Sequence, residues 1–177
     1  MANTKWVADP THSEIVFKIK HLMISTVTGR FNEFSASAET ETPDDFNTAS
    51  NIMFSANISS IDTKNEQRDT HLKSDDFFNA EKYPQLKFVG KKLSINGSEG
   101  SLEGDLTIRE TTKPLKLDVE YGGIVTDPYG QTKAGFTLTG KIKRKEFGLT
   151  WDAVTEAGSV VVSDEIKLQV EIQLVKQ

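Results

Sequence analysis

The chain has 177 residues, a formal net charge of −5, 36% hydrophobic and 27% charged residues, and no cysteine. A chain of that length fits one domain, and a mean hydropathy of −0.42 is that of a globular chain, neither disordered nor membrane-spanning. Without cysteine there are no disulfides, thiol nucleophiles, iron–sulfur clusters or Cys-type zinc sites, and the acidic balance argues against a non-specific nucleic-acid binder, which needs a basic face. No stretch reaches the roughly 18 apolar residues that span a bilayer. The opening Met1-Ala2-Asn3-Thr4-Lys5-Trp6 has no apolar core of the secretory type. The cytoplasm is therefore the expected compartment, although an exported chain trimmed of its signal reads the same.

Taken in chain order, the pattern is that of an all-β protein, because apolar and polar residues alternate with the period of a strand that has one face on a core. Ile15, Phe17 and Ile19 alternate with Glu14, Lys18 and Lys20, and a second strand covers Val27–Ala38. Ile52, Phe54, Ala56 and Ile58 form the third apolar row. The strands are then interrupted once. Thr63-x-x-Glu66 is a capping-box pattern, Lys64–Lys73 can be helical, and Ser74-Asp75-Asp76 can cap a second turn before Pro84, so a helical excursion is expected over about 62–82. Leu86, Phe88 and Gly90 begin the next strand, which turns at Asn96-Gly97 into Leu102, Gly104, Leu106 and Ile108. Breaks are expected at Thr111-Thr112-Lys113-Pro114 and Gly122-Gly123, flanking a strand with Leu115, Leu117, Val119 and Tyr121 inward. Asp127-Pro128-Tyr129-Gly130 reads as a turn. The last two strands place Ala134, Phe136, Leu138, Gly140 and Ile142, then Ile166, Leu168, Val170, Ile172 and Leu174, on their apolar faces.

Eight such strands predict an eight-stranded antiparallel up-and-down barrel with one short helical excursion, a single domain over 1–177. A sandwich uses the same alternation. Gly29, Ala36, Ala38, Ala56, Gly90, Gly104, Ala134 and Gly140 share the apolar parity. They leave room for a cavity, or they mark bends and taper in a packed barrel. In an up-and-down barrel the odd strands end at one rim, which gathers His21, Ile61-Asp62, Ile108-Arg109 and Arg144. The excursion leaves from that rim, carrying Leu72, Phe77 and Phe78. Such a mouth suits an amphipathic ligand with its head near His21 and Arg144. The plainer alternative is a rim ion pair from Arg144 to Asp69 or Asp76, with His21 hydrogen-bonded locally. Trp6 and Trp151 are expected to anchor the barrel ends, and Arg68-Asp69 to form a structural ion pair that holds the flap.

Several segments together resemble the YceI-like, polyisoprenoid-binding family. They are Asp9-x-x-His12-Ser13-x-Ile15-x-Phe17-x-Ile19-x-His21, Gly29-x-Phe31, Arg68-Asp69-x-His71-Leu72, Asp76-Phe77-Phe78, Tyr83-Pro84-x-x-x-Phe88, Gly104-Asp105-Leu106-Thr107-Ile108, Lys113-Pro114 and Arg144-x-x-Phe147-Gly148-Leu149-x-Trp151. The resemblance covers nearly the whole chain. It implies a lipocalin-like barrel with an appended helix, no catalytic activity, and a dimer for which the alternation specifies no interface. It also implies a bound amphipathic isoprenoid lipid, either a polyprenyl chain or a prenylated quinone of the ubiquinone or menaquinone type. Many members of that family carry an export signal, which is not visible here.

On this reading the cavity is lined by Ile15, Phe17, Ile19, Phe31, Ile52, Phe54, Phe88, Leu102, Leu106, Phe136, Leu138, Ile142 and Val170, with Phe77 and Phe78 on the flap and His21 and Arg144 at the mouth. Core and pocket wall share one alternation, so the pattern does not separate them. Catalytic signatures are weak. His12, His21 and His71 lack the i, i+4 pairing of a HExxH zinc site, and no GxSxG, P-loop or GxGxxG motif occurs. The competing readings are a small-substrate enzyme using His21 and Arg144 with a carboxylate at the mouth, and a solid-core structural or stress-response barrel.

Overall fold

Each alternating segment of the sequence becomes a stave of one closed, antiparallel eight-stranded barrel. The computed structural model describes residues 3–22, 24–151 and 162–177. The first stave is β1 (Thr4–Ala8) and β2 (Glu14–His21), separated by a 3-10 turn at Pro10–His12; the second is β3 (Ser25–Phe31) and β4 (Phe34–Thr40); the third is β5 (Ala49–Asn57) and β6 (Ile61–Asp62). Then follow the helix α1 (Glu66–Lys73) and the staves β7 (Gln85–Asn96), β8 (Glu99–Ile108), β9 (Thr111–Thr126), β10 (Thr132–Lys143) and β11 (Val162–Lys176). Closure comes from the first stave, where β1 pairs with β4 and β11 while β2 pairs with β3 and β11. A closed ring leaves no long unpaired edge.

The period-two alternation survives intact in the register. Ile166, Leu168 and Val170 lie opposite Ile19, Phe17 and Ile15, so three apolar pairs face the interior from one junction. The expected strand over Val27–Ala38 is instead two strands bent at Asn32-Glu33, where the Asn32 N–H reaches the Ser60 carbonyl and the Asn57 N–H reaches the Glu33 carbonyl. The breaks expected around β9 also move. The chain reverses at Arg109-Glu110, with Arg109 at φ 55°, and Thr111 already pairs with Ile108. Pro114 is tolerated within β9 because β10 joins only from Asp118 onward, so no second partner calls on its missing N–H. Gly122-Gly123 does not end the strand; the register slips there as a bulge opposite Gly135 and Phe136.

The inward glycines turn out to be seats for neighbouring rings. A Cβ at Gly29 would collide with the Phe17 ring, directly across the β2–β3 pair. One at Gly104 would strike both the Phe88 ring and the Val89 carbonyl oxygen. The Phe17 and Phe88 rings therefore lie over Gly29 and Gly104.

The first stave is pinned where it bends. Asp9 accepts hydrogen bonds from Thr11, lies 2.8 Å from His12 Nδ1, and stands 3.6 Å from Lys133 Nζ, which is also 3.4 Å from Asp127. The Thr11 bonds, followed by His12, hold the Asp9 carboxyl far below its ordinary 3.8. Asp127 is lowered by the N–H groups of Gln131 and Tyr129, and Asp62 by that of Lys64. A carboxylate with a depressed folded pKa contributes stability that is complete above its unfolded value and lost as pH falls toward the folded one. The melting temperature is thus expected to hold above pH ~4 and to fall between about pH 4 and pH 2. Asp9→Asn should flatten that decline; an unchanged acid limb in the variant would exclude Asp9 as a contributor.

Candidate functional site

The interior of the barrel holds a cavity of about 570 Å³. All seventeen side chains nominated from the sequence border it, from Ile15 on the first stave to Val170 on the last, with Phe77 and Phe78 from the flap and His21 and Arg144 at the rim. The space excludes the solid-core reading, which requires this interior to be filled.

One end is closed. The 3-10 turn Phe46–Thr48, between β4 and β5, folds inward and inserts Phe46 among Trp6, Phe136 and Tyr121, with ring centroids 4.8, 4.9 and 6.0 Å away. Trp6 is fully buried, and its Nε1–H donates to Thr40 Oγ1 at 3.1 Å. The turn is clamped to β7 by Asn47, which accepts from the Ile95 N–H at 2.7 Å and donates to the Ile95 carbonyl at 3.0 Å. Burial, together with the nearby Asp44 and Asp45 charges, pushes the Tyr121 hydroxyl up.

The other end is the mouth, roofed by α1 and the turns that follow it. The polar sequence of α1 buries no residue, so the helix is held by its ends. Its N-cap is Asn65, whose side chain accepts from the Arg68 N–H, and not the Thr63 of the expected capping box. No second helix follows. Residues 74–83 form hydrogen-bonded turns in which Asp75 takes Arg109 and Asp76 lies 2.8 Å from His71 Nε2. Gln67, Arg68, His71 and Leu72 share the helix face that looks into the cavity.

Two of the expected rim contacts are replaced by others. Arg68 and Asp69 do not pair within 4 Å; both engage the buried Thr63, Arg68 donating to its carbonyl and hydroxyl oxygens, Asp69 accepting from its N–H and hydroxyl. The latch between flap and barrel is Arg109, which donates at 3.1 Å to the carbonyls of Asp75 and Phe77 and to the Asp75 carboxylate. On the opposite side His71 and Phe77 pack on Trp151, with centroids 4.7 and 5.4 Å away, and Phe78 meets Phe31 at 6.2 Å.

Arg144 is almost wholly buried at 1% exposure. Its guanidinium donates to the carbonyls of Ser163, Leu149, Trp151 and Val162 at 2.9, 2.6, 2.7 and 3.1 Å. The expected pair with Asp69 or Asp76 is not among these contacts, and Arg144 also borders the cavity. The geometry follows from Gly148, whose φ of 82° reverses the chain and returns Leu149 and Trp151 toward the Arg144 side chain. His21 borders the cavity at the end of β2, opposite Val162. The three histidines stay apart, and no group of three or more His, Asp or Glu side chains among the described residues could hold a metal ion.

Sequence reasoning missed Phe46 and the inward face of α1. Phe46 is the lone large apolar residue in the polar run Thr42-Pro43-Asp44-Asp45-Phe46-Asn47-Thr48, and the i, i+4 pairs Gln67/His71 and Arg68/Leu72 mark the helix face.

The YceI-like domain matches residues 6–174. A UPF0312 protein of Staphylococcus epidermidis is 38% identical over 169 residues, 94% of each chain. The YceI protein of Campylobacter jejuni, a solved structure, is 36% identical with a TM-score of 0.76, covering 89% of this chain and 90% of its own. A polyisoprenoid-binding domain from Saccharophagus degradans shares the fold at 13% identity, with a TM-score of 0.62 over 97% of this chain and 98% of its own.

Proposed function

The chain belongs to the YceI-like family, and we propose on that premise that its barrel binds an amphipathic isoprenoid lipid without catalysing a reaction on it. The observation that carries the reading is the apolar cavity of about 570 Å³, closed at one end by aromatic rings and roofed at the other by a polar helix. This volume lies in the range of small-molecule sites, which bury most of a ligand in an apolar space with few polar groups. Transfer of a prenyl tail from water contributes roughly 0.8 kcal/mol per buried CH₂, so a few isoprene units outweigh the cost of association. The head group, a polyprenyl terminus or a quinone ring, lies at the mouth beside His21 and the Gln67/His71 face of α1. Arg144 frames the mouth through the carbonyls it holds. The Saccharophagus degradans neighbour, described as a polyisoprenoid-binding domain, supports the ligand class by analogy of fold alone. A homodimer and storage, sequestration or transport of the lipid are consistent extensions.

Protein purified from its own host and extracted with solvent should release a prenylated lipid by mass spectrometry. After delipidation, adding a prenylated quinone at about one hundred times its Kd should stabilise the fold by about 2.7 kcal/mol. A protein that carries no lipid and whose melting temperature ignores both prenyl alcohols and prenylated quinones would sink the reading.

A further inference from the structure

We infer that Phe46 is a chain-length stop, and that the clamped turn carrying it sets how long an isoprenoid tail the barrel encloses. The inference rests on the lipid-binding reading and adds a ruler to it. The cavity has one aromatic floor, and the floor's central ring does not come from a stave. Phe46 enters from a turn between β4 and β5 and is 3% exposed, with Trp6 and Phe136 packed on it. Stave residues are fixed by the sheet register, but a turn residue needs its own restraint. Asn47 supplies it through its two hydrogen bonds to the Ile95 backbone. The floor ring is therefore held by the Asn47 clamp together with its packing on Trp6 and Phe136.

A tail threaded from the mouth is enclosed by apolar wall until it meets the Phe46 ring, which borders the cavity. Each unit added below that limit finds apolar wall. Each unit added beyond it must leave through the mouth into water and gains nothing. Removing the Phe46 ring opens space toward Trp6 and Tyr121 and lengthens the enclosed tail by about one unit.

The test uses the full-length, delipidated protein and a series of all-trans prenyl alcohols from three to ten isoprene units. Affinity of the wild type should rise at least about tenfold per unit up to a limiting length within the series and then level off. Phe46→Ala should move the break to a longer tail, and Phe46→Leu, which keeps the floor packed if the alanine variant folds poorly, should move it less. Asn47→Ala should blur the break, and a break as sharp as the wild type's in that variant overturns the role of the clamp. Affinity that keeps climbing to the longest tail in the wild type overturns the stop and leaves lipid binding standing. A break that stays in place in a folded Phe46→Ala overturns the role of Phe46. No binding of any alcohol or prenylated quinone by the wild type overturns the lipid reading itself.

Discussion

Arg144→Ala is expected to destabilise the fold by about 3–5 kcal/mol, a drop of roughly 6–20 °C in melting temperature for a chain of this size. The guanidinium is almost fully buried just after β10, and among the described residues it donates to carbonyls of two separate stretches, Leu149 and Trp151 on one side, Val162 and Ser163 on the other. A buried carbonyl left without a donor costs about 1–3 kcal/mol, and several would be stranded together. Arg144→Lys should recover less than half of the loss, because one ammonium cannot reproduce a planar fork aimed at carbonyls on both sides. Differential scanning fluorimetry on the two variants checks this, with prenylated-quinone binding measured in parallel. Arg144→Ala that melts within about 2 °C of the wild type yet no longer binds would make Arg144 a head-group ligand and not a strut.

The second large effect is expected at the opposite end. Trp6→Ala should cost about 3–5 kcal/mol in urea or thermal unfolding, the usual range for a buried aromatic removed from a packed site. Trp6 is fully buried, packs in a tilted arrangement on Phe46 with ring centroids 4.8 Å apart, and donates to Thr40, itself fully buried. Trp6→Phe separates the two contributions. It keeps an aromatic ring but removes the N–H, leaving Thr40 Oγ1 without that donor, and should cost about 1–3 kcal/mol. If Trp6→Ala unfolds as late as the wild type, the floor is held by Phe46 and Phe136 without it.

The two ends differ in how they are built. The floor is an apolar cluster restrained by two amide hydrogen bonds. The roof is a short polar helix that buries no residue and is tied down by Arg109 and by the rings of Phe77, Phe78 and His71. An element with little buried apolar surface opens at lower free energy than one packed into a core.

What was legible before folding was everything governed by local backbone geometry. Alternation along Ile166–Leu174 or Leu102–Ile108 states directly which side chains face inward, because strand side chains alternate faces whatever their partner is. The inward-facing set follows from that rule and, given an up-and-down barrel, so does the shared rim of His21 and Arg144; the interruption after β6 was read from helix-start residues, and alternation left barrel and sandwich, and core and pocket wall, unseparated. The tertiary structure alone decided the contacts between residues far apart in the chain. Phe46 became a floor because Asn47 meets Ile95, 48 positions away. Arg144 became a strut because Gly148 turns the chain back and β11 lies alongside. Arg109, not Arg68, became the latch because the β8–β9 turn reaches the flap at Asp75 and Phe77. The inward glycines read as empty positions in the sequence, yet strand pairing laid the Phe17 and Phe88 rings over Gly29 and Gly104. Period-two alternation is a property of a single strand, whereas these contacts depend on the turns and pairings that set other segments against it.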